Sequence, residues 1–412
     1  MKHSNKKVEL LAPAGNFEKL EIAIHYGADA VYLAGKHFSL RNLSGNFTCN
    51  QLEEAVHLAH ENGVRVYVAC NIYARNADQA LISEFLRDLG DIKPDAVIIS
   101  DPGILMQARK IIPDIPIHLS TQANTTNYRT AQFWEHLGVK RINTARELSL
   151  GEIREISDRC GVEIEAFVHG AMCISYSGRC LLSSFMAGRD SNLGQCCHPC
   201  RWKYAVMEET RPGQFMPIIE DDRGSYVFNS RDLCMIEHVP DMIRAGIESL
   251  KIEGRMKSIH YLASTVKVYR EAIDTFYEAD GLYRVNPEWM SELSRISHRS
   301  YSTGFYLDDP EQARPDITKS IFKPAFTFCA KVLEPGDSLN QLAIEVRNKI
   351  HIGECIEVFR KSGPTVPDRI LDIIDADGLS IPFAQPGSRV TVKLNDRYER
   401  FDLIRRPNVT IE

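Results

Sequence analysis

The chain has 412 residues, 44% of them hydrophobic and 25% charged, with a formal net charge of −6. That length exceeds one small core and predicts two or three domains, while the acidic balance excludes a global basic field drawing in nucleic acid but leaves room for a local basic patch. No run of about 18 apolar residues is present, and the opening "MKHSNKKVELLAPAG" lacks the apolar core of a secretion signal, so a cytoplasmic protein is expected.

From the N-terminus two signals alternate. Short β-branched runs are "VELLAPAG", "DAVYLAG", "VRVYVACNI", "DAVIISDPG", "PIHLSTQANT", "RINTARELS" and "EIEAFVHGA". Between them lie amphipathic stretches such as "NFEKLEIAIHYG", "NQLEEAVHLAHENG" and "TAQFWEHLG". In the second of these, Leu52, Val56, Ala59 and His60 are expected on one face, with Gly63 stopping the helix. Strand and helix in this rhythm predict a parallel sheet wrapped by helices. Seven such units in residues 1–172, and an eighth strand "ESLKIEG" near residue 250, predict an α/β fold built on a (β/α)8 TIM-type barrel. The competitor is a doubly wound open sheet. The barrel is favoured because no GxGxxG follows the first strand and the strand tips are polar or glycine-rich, as a barrel's active-site face requires.

Residues 173–245 interrupt the rhythm as a cysteine-rich insertion, which ends in the hairpin-like "EETRPGQFMPIIEDDRGSYVFNSRDLC". Residues 246–324 hold the last barrel strand and terminal helices, with "GRMKSIHYLASTVKVYREAI" as the long one. Residues 325–412 change to short alternating strands, "TFCAKVLE", "LAIEVRN", "CIEVFRKSG" and "RVTVKLN", which predict a small C-terminal β-barrel or sandwich domain.

There are 11 cysteines, an odd number that argues against a fully paired framework. Cys49, Cys70, Cys160, Cys329 and Cys355 are scattered and are expected to be small buried hydrophobes. Cys173, Cys180, Cys196, Cys197, Cys200 and Cys234 are clustered and flanked by Gly170, Gly178, Gly188 and Gly194. Four thiolates suit a [4Fe–4S] cluster or a tetrahedral zinc. Only Cys196 or Cys197 with Cys200 has the short spacing of a zinc knuckle, which tilts the reading towards a cluster. A disulfide or redox switch and core filling are the remaining readings.

The stretch "EAFVHGAMCISYSGRCLLS" closely resembles the signature of the peptidase U32 family. "NLGQCCHPCRW", "NSRDLC" and "LKIEGRMKS" resemble further blocks of that family in the same order, and "LLAPAGNFEKLEIAIHYGADAVYLAG" resembles its N-terminal block. The resemblance covers residues 7–275 strongly and the β-domain more weakly. The family name implies a protease. Its better-understood members imply a [4Fe–4S] cluster on four cysteines and hydroxylation of RNA or of a quinone ring. Length, cysteine block and β-domain are most similar to the branch that makes 5-hydroxyuridine at the tRNA wobble position with prephenate as a metabolic input. Hydroxylation of ribosomal RNA cytidine and peptidase action are the alternatives, and zinc is the alternative metal. The resemblance implies Cys173, Cys180, Cys196 and Cys234 as ligands. Cys197 departs from the motif, and either it or Cys200 can replace Cys196 by a small change of register.

In the hydroxylase reading, polar residues at strand ends acquire roles. His169, Glu253 and Arg255 are the catalytic candidates, His169 as a proton shuttle. Asn71, Gln122, Arg146 and Arg41 are the substrate-binding candidates, with Asp101, Glu147 and Lys251 behind them. A dicarboxylate such as prephenate calls for bidentate arginine. For RNA, Arg397, Arg400, Arg405 and Arg406 interleave with Tyr398 and Phe401, and "SHRSYSTGFY" carries His298, Arg299, Tyr301 and Tyr306. A redox partner is also expected. Each of these residues has a structural alternative: a barrel ion pair, a core histidine or a solvated β-surface. The peptidase reading lacks HExxH and GxSxG. The Ser and His of "HLSTQAN", and His169 with Cys173, are the remaining nucleophile–base candidates, both on strand-like sequence.

Overall fold

Eight parallel strands close into a ring in a computed structural model that describes residues 7–36, 38, 46–172, 177, 179–189, 196–197, 199, 231–279, 283–307, 325–336 and 340–408, with only the backbone of 206–207, 215–216, 220–221 and 224–225. The first seven strands are β1 (Glu9–Pro13), β2 (Ala30–Ala34), β3 (Arg65–Cys70), β4 (Ala96–Ile99), β5 (Ile117–Leu119), β6 (Arg141–Asn143) and β7 (Glu163–Ala171). They are followed by β8 (Asp232–Cys234) and β9 (Ser249–Ile252). Strands β1 to β7 pair in chain order, and β9 pairs in parallel with both β7 and β1, which closes the barrel. Strand β8 stands outside the ring, antiparallel to the end of β7, with Cys234 opposite His169.

The helices form where the local sequence caps them. Asn16 accepts from the Lys19 N–H at the start of Phe17–His25, and Thr48 with Gln51 makes a reciprocal capping box at Cys49–Glu61. The chain leaves the latter helix through Gly63 at φ +69°, a left-handed conformation that a glycine adopts without strain. Leu52, Ala55, Val56 and Ala59 of that helix are buried. His60 is not, contrary to expectation: it lies one residue past the stripe and its Nε2 meets Asp95 at 2.8 Å. The 20-residue helix Ile259–Glu278 opens on Ser258 and is buried along most of its first four turns.

Strand alternation divides the barrel into an outer core and a lumen. Leu10, Val31, Val68, Ile99, Ile142 and Leu250 face outwards into the layer shared with the helices. Leu11, Tyr32, Tyr67, Ala69, Ala96 and Ile98 form a separate cluster inside. Below that cluster lies an ionic floor. Arg141 reaches Glu9 at 2.5 Å and Glu163 at 2.6 Å, and Lys251 reaches Glu165 at 2.7 Å. Tyr67 and Ser249 donate to Glu9 at 2.6 and 2.7 Å. Lys251 is therefore part of the barrel's own ion pairing and is not a substrate ligand.

The C-terminal residues form a seven-stranded antiparallel sheet with its own core around Cys329, Ile344, Val358, Ile373 and Val392. It docks firmly on the barrel. Phe359 and Leu403 join the barrel's core, Tyr26 donates to the Phe359 carbonyl at 3.0 Å, and Lys267 donates to those of Arg360 and Gly363 at 2.9 and 2.7 Å. Arg405 donates to both carboxylate oxygens of Glu292 at 2.6 and 2.8 Å and to Glu357 at 3.1 Å. Arg405 is fully buried, which corrects its reading as an RNA contact. Cys70, Cys160 and Cys329 are buried, as expected, whereas Cys49 and Cys355 are exposed and lie beside Asp88 and Arg369. Among the described residues no helix is long and apolar enough to cross a membrane.

Two outcomes are expected. Arg141→Ala strands buried Glu9 without its main cation and should cost about 3–5 kcal/mol in urea unfolding. Stability should also decline in two stages as pH falls. Burial keeps His118, His169 and His260 neutral, with His169 pulled down to about 3 and His260 to about 4, so each contributes stability that begins to be lost below the ordinary value of 6.5. Burial pushes the carboxyls of Glu9 and Glu292 up, but Arg141 with Arg65, and Arg405, hold them below the ordinary 4.5, which adds a second loss below that pH. Glu292→Gln should shrink the second stage in thermal melts and leave the first.

Candidate active site at the barrel mouth

The mouth of the barrel is built by the next turn of the alternation above the lumen. Tyr67 and Ala69 face inwards, so Asn71, two residues on, continues that face at the end of β3. Arg141 faces inwards, so Asn143 does the same on β6. Ser120 ends β5, and Gln122 lies in the 3₁₀ turn Thr121–Ala123 that follows. The active-site face of such barrels is this C-terminal end of the strands.

Asn71, Ser120 and Gln122 form one hydrogen-bonded group. Asn71 Nδ2 donates to Ser120 Oγ at 3.2 Å and to Gln122 Oε1 at 3.0 Å, and the Ser120 hydroxyl donates to the same Gln122 oxygen. Ser100 Oγ donates to the Asn71 carbonyl at 3.3 Å, which holds the strand ends together. Several buried polar atoms here have no hydrogen-bond partner among the described residues: Asn71 Oδ1, Asn124 Oδ1, Asn143 Oδ1, Thr144 Oγ1 and Arg146 Nε. Buried polar groups are normally satisfied, so this concentration marks a surface waiting for a polar ligand.

Arg146 is the most unusual of them. It is 8% exposed, its guanidinium carbon lies 3.8 Å from the centre of the Phe167 ring, and Nη1 donates to the Ala171 carbonyl at 2.6 Å. No carboxylate pairs with it among the described residues. A buried cation without an anion is costly, and an anionic ligand supplies the missing charge. Next to it, burial raises the Glu147 carboxyl above its ordinary value although Arg146 works against the shift.

The insertion leans over this mouth. Asn124 Nδ2 donates to the Ser177 carbonyl at 3.4 Å, and Arg179 contacts the hydroxyl of half-exposed Tyr73 while stacking 5.5 Å over its ring. Cys180, Cys196 and Cys197 are partly exposed, and Ser183 Oγ lies 3.8 Å from Cys196 Sγ and 3.6 Å from Cys197 Sγ. Cys173, Cys200 and Arg41 lie outside the described residues. Among the described residues no three His, Cys, Asp or Glu side chains converge on a metal position.

Cys234 and His169 sit behind β7, against the long helix. Tyr269 joins them: its hydroxyl donates to the Val168 carbonyl at 2.8 Å and lies 3.4 Å from His169 Nδ1 and 3.9 Å from Cys234 Sγ. Burial pushes the Cys234 thiol up to about 11, while the Ile236 N–H and Tyr269 hydroxyl pull the other way. The site thus fits a thiolate only when a cation offsets the burial, and both donors are those a metal-bound sulfur accepts. His169 is packed among Tyr261, Tyr269 and Tyr301. It is almost fully buried, and burial pulls its pKa down, which works against the role of proton shuttle expected from the sequence.

The other sequence candidates separate. Glu253 is tied through its backbone to His169 and to the Tyr261 hydroxyl, both at 2.9 Å. Arg255 is buried against Asn46, and its carbonyl accepts from Lys19 at 2.7 Å. Asp101 caps helix Pro102–Ile111. Arg299 pairs with Asp232 at 3.1 Å, Tyr306 is buried on the Phe167 carbonyl, and Tyr301 bonds the Leu293 carbonyl, so this stretch is internal structure and not an RNA surface. Tyr398 is buried against Asp368, and Arg406 pairs with Glu354 at 2.5 Å. Arg397 and Arg400 remain exposed, Arg400 near Glu21 at 3.4 Å. Sequence reasoning missed Asn143 and Ser120, which alternation from Arg141 and His118 marks as inward-facing, and Tyr269, for which the helix pattern holds no signal.

Arg146→Met should raise the unfolding free energy of the ligand-free protein by about 1 kcal/mol or more, since it removes an unpaired buried charge. A loss of stability in urea titration would make Arg146 a structural residue.

Comparison with known proteins places these features in a family. The model of peptidase family U32 matches residues 15–316, and that of the family's C-terminal domain matches residues 324–405. The tRNA hydroxylation protein P1 of Bacillus subtilis (strain 168) is 38% identical, over 97% of this chain and 95% of its own length. The tRNA hydroxylation protein P of Escherichia coli (strain K12) is 36% identical over 94% and 93%. The 23S rRNA 5-hydroxycytidine C2501 synthase of Escherichia coli (strain K12) is 33% identical, over 68% of this chain and 41% of its own length. With the barrel and its β-domain matched by adjoining models and by relatives along nearly their whole length, the chain belongs to peptidase family U32.

Proposed function

We propose that this protein hydroxylates RNA, forming 5-hydroxyuridine at the wobble position of tRNA with prephenate as metabolic input, and that a [4Fe–4S] cluster is held by Cys173, Cys180, Cys196 and Cys234. The observation that carries the RNA reading is the end-to-end likeness, β-domain included, to proteins named for tRNA hydroxylation. The likeness to the ribosomal RNA enzyme is limited to 41% of that protein, which makes ribosomal RNA the second choice.

Support from the site is chemical. Buried Arg146, which no carboxylate among the described residues pairs, suits a carboxylate such as prephenate carries, and its contact with Phe167 helps to hold it in place. The neutral amides and hydroxyls of Asn71, Ser120, Gln122 and Asn143 suit an uncharged heterocycle beside it. Cys234, with the Ile236 N–H aimed at its sulfur and the Tyr269 hydroxyl 3.9 Å away, suits a metal ligand. When bound, the cluster would supply electron transfer. The described residues offer the peptidase reading little: the Ser120 hydroxyl donates to Gln122, not to a base, and His169 is walled in by tyrosines. Exposed Arg397 and Arg400 are left to meet the RNA backbone.

Anaerobic purification should give a brown protein with about four irons per chain, and Cys173→Ser and Cys234→Ser should lower that content. A colourless protein holding zinc would overturn the cluster. Nucleosides from tRNA of a deletion strain grown without oxygen should lack 5-hydroxyuridine derivatives. Unchanged tRNA with loss of 5-hydroxycytidine from ribosomal RNA would move the substrate to the second choice.

A further inference from the structure

We propose that Asn71, held in one orientation by Ser120 and Gln122, is the residue that selects uracil over cytosine, by accepting the N3–H of a base extruded into the barrel mouth. The inference rests on the RNA reading above and adds to it how the base is chosen.

The amide of Asn71 is oriented by two acceptors. Its Nδ2 donates to Ser120 Oγ at 3.2 Å and Gln122 Oε1 at 3.0 Å, and the single proton of the Ser120 hydroxyl is already committed to Gln122 Oε1. Rotating the amide by a half-turn would set Asn71 Oδ1 against the Gln122 oxygen, acceptor against acceptor. The orientation leaves Asn71 Oδ1 buried and without a partner, an atom that can take only a donor.

The facing wall repeats the feature. Asn143 is 3% exposed, its Oδ1 is also unpartnered, and it lies on β6, three strands round the ring from β3. Arg146 Nε, just beyond β6, is an unpartnered donor. The mouth therefore presents a buried carbonyl acceptor at Asn71, and a second at Asn143, which is the register partner of Glu165 on β7. Uracil offers a donor for Asn71 Oδ1, the imide N3–H between its two carbonyls. Cytosine has an unprotonated N3 at the same place and would bring a lone pair against Asn71 Oδ1. A base must leave its stack to enter such a site and is then read on its Watson–Crick edge. Sites built to hydrogen-bond a group reject analogues that lack it far more strongly than apolar pockets do, because their own polar atoms are left unpaired.

The test uses full-length protein and fluorescently labelled stem-loop RNAs that differ at one loop position: uridine, cytidine or N3-methyluridine. Fluorescence anisotropy should show wild type binding the uridine loop at least about tenfold more tightly than either of the others. Asn71→Ala should bring the three affinities together. Gln122→Ala should leave a folded protein with a free amide, able to turn its N–H towards cytosine N3. Its cytidine affinity should then rise towards that for uridine while N3-methyluridine stays weak, a pattern that a structural role for Gln122 would not produce. Wild type that binds all three loops equally, or Asn71→Ala that keeps the uridine preference, overturns the assignment to Asn71 and leaves the RNA reading standing. Wild type that binds none of the loops overturns both.

Discussion

The constraint on which the structure depends is the buried charge layer at the floor of the barrel. Glu9, Arg141, Glu165 and Lys251 come from four strands, and each is almost wholly withdrawn from water. None is tolerable alone, because an isolated buried charge costs several kcal/mol (about 3–5 when one partner is lost). A one-residue slip of any of these strands would turn its charge outwards into the apolar layer under the helices. The layer therefore fixes which residues face inwards, and through alternation it determines that Asn71, Ser120 and Asn143 appear at the mouth.

Above the floor the lumen narrows to Leu11, Tyr32, Ala69 and Ile98, a dry apolar band. The ionic layer meets the mouth at Phe167, whose ring centre lies 3.8 Å from the Arg146 guanidinium and 5.6 Å from the Lys251 ammonium. The mouth is made of neutral amides and hydroxyls with one unpaired guanidinium. The contrast is functional: the charges of the floor pair with one another, and the mouth keeps amide and guanidinium atoms that no described residue satisfies. Stability is concentrated at the N-terminal face, which frees the opposite face to hold groups whose partners are not part of the chain.

The long helix Ile259–Glu278 connects the two functional regions. Tyr261 and Tyr269 wall in His169 and touch the strand that carries Cys234, while Lys267 on the same helix holds two carbonyls of the β-domain. Arg405 completes that docking through Glu292. The β-domain is thus fixed to the back of the barrel by buried, oriented bonds. Its exposed arginines, Arg397 and Arg400, are carried by a rigid body, and the cationic residues it seemed to offer in sequence are largely spent on its own attachment.

The barrel, its interruption after β7, the return near residue 250 and the change to a β-domain were legible in the sequence. These rest on local physics: β-branched runs against amphipathic stretches, caps such as Asn16 and Thr48, and glycines such as Gly63 that take left-handed turns. Asn71, Gln122 and Arg146 were legible as polar residues at strand ends for the same reason. The fates of His169, Lys251, Arg405 and Tyr306 were not. Their partners lie far along the chain, Glu292 being 113 residues from Arg405 and Tyr269 100 residues from His169. A histidine or arginine reads alike in sequence whether it meets solvent, a ligand or a buried carboxylate. Local pattern determined which faces exist. Only the closed barrel and the docked domain decided which polar atoms on those faces are already satisfied and which, like Asn71 Oδ1 and Arg146 Nε, are left for something else.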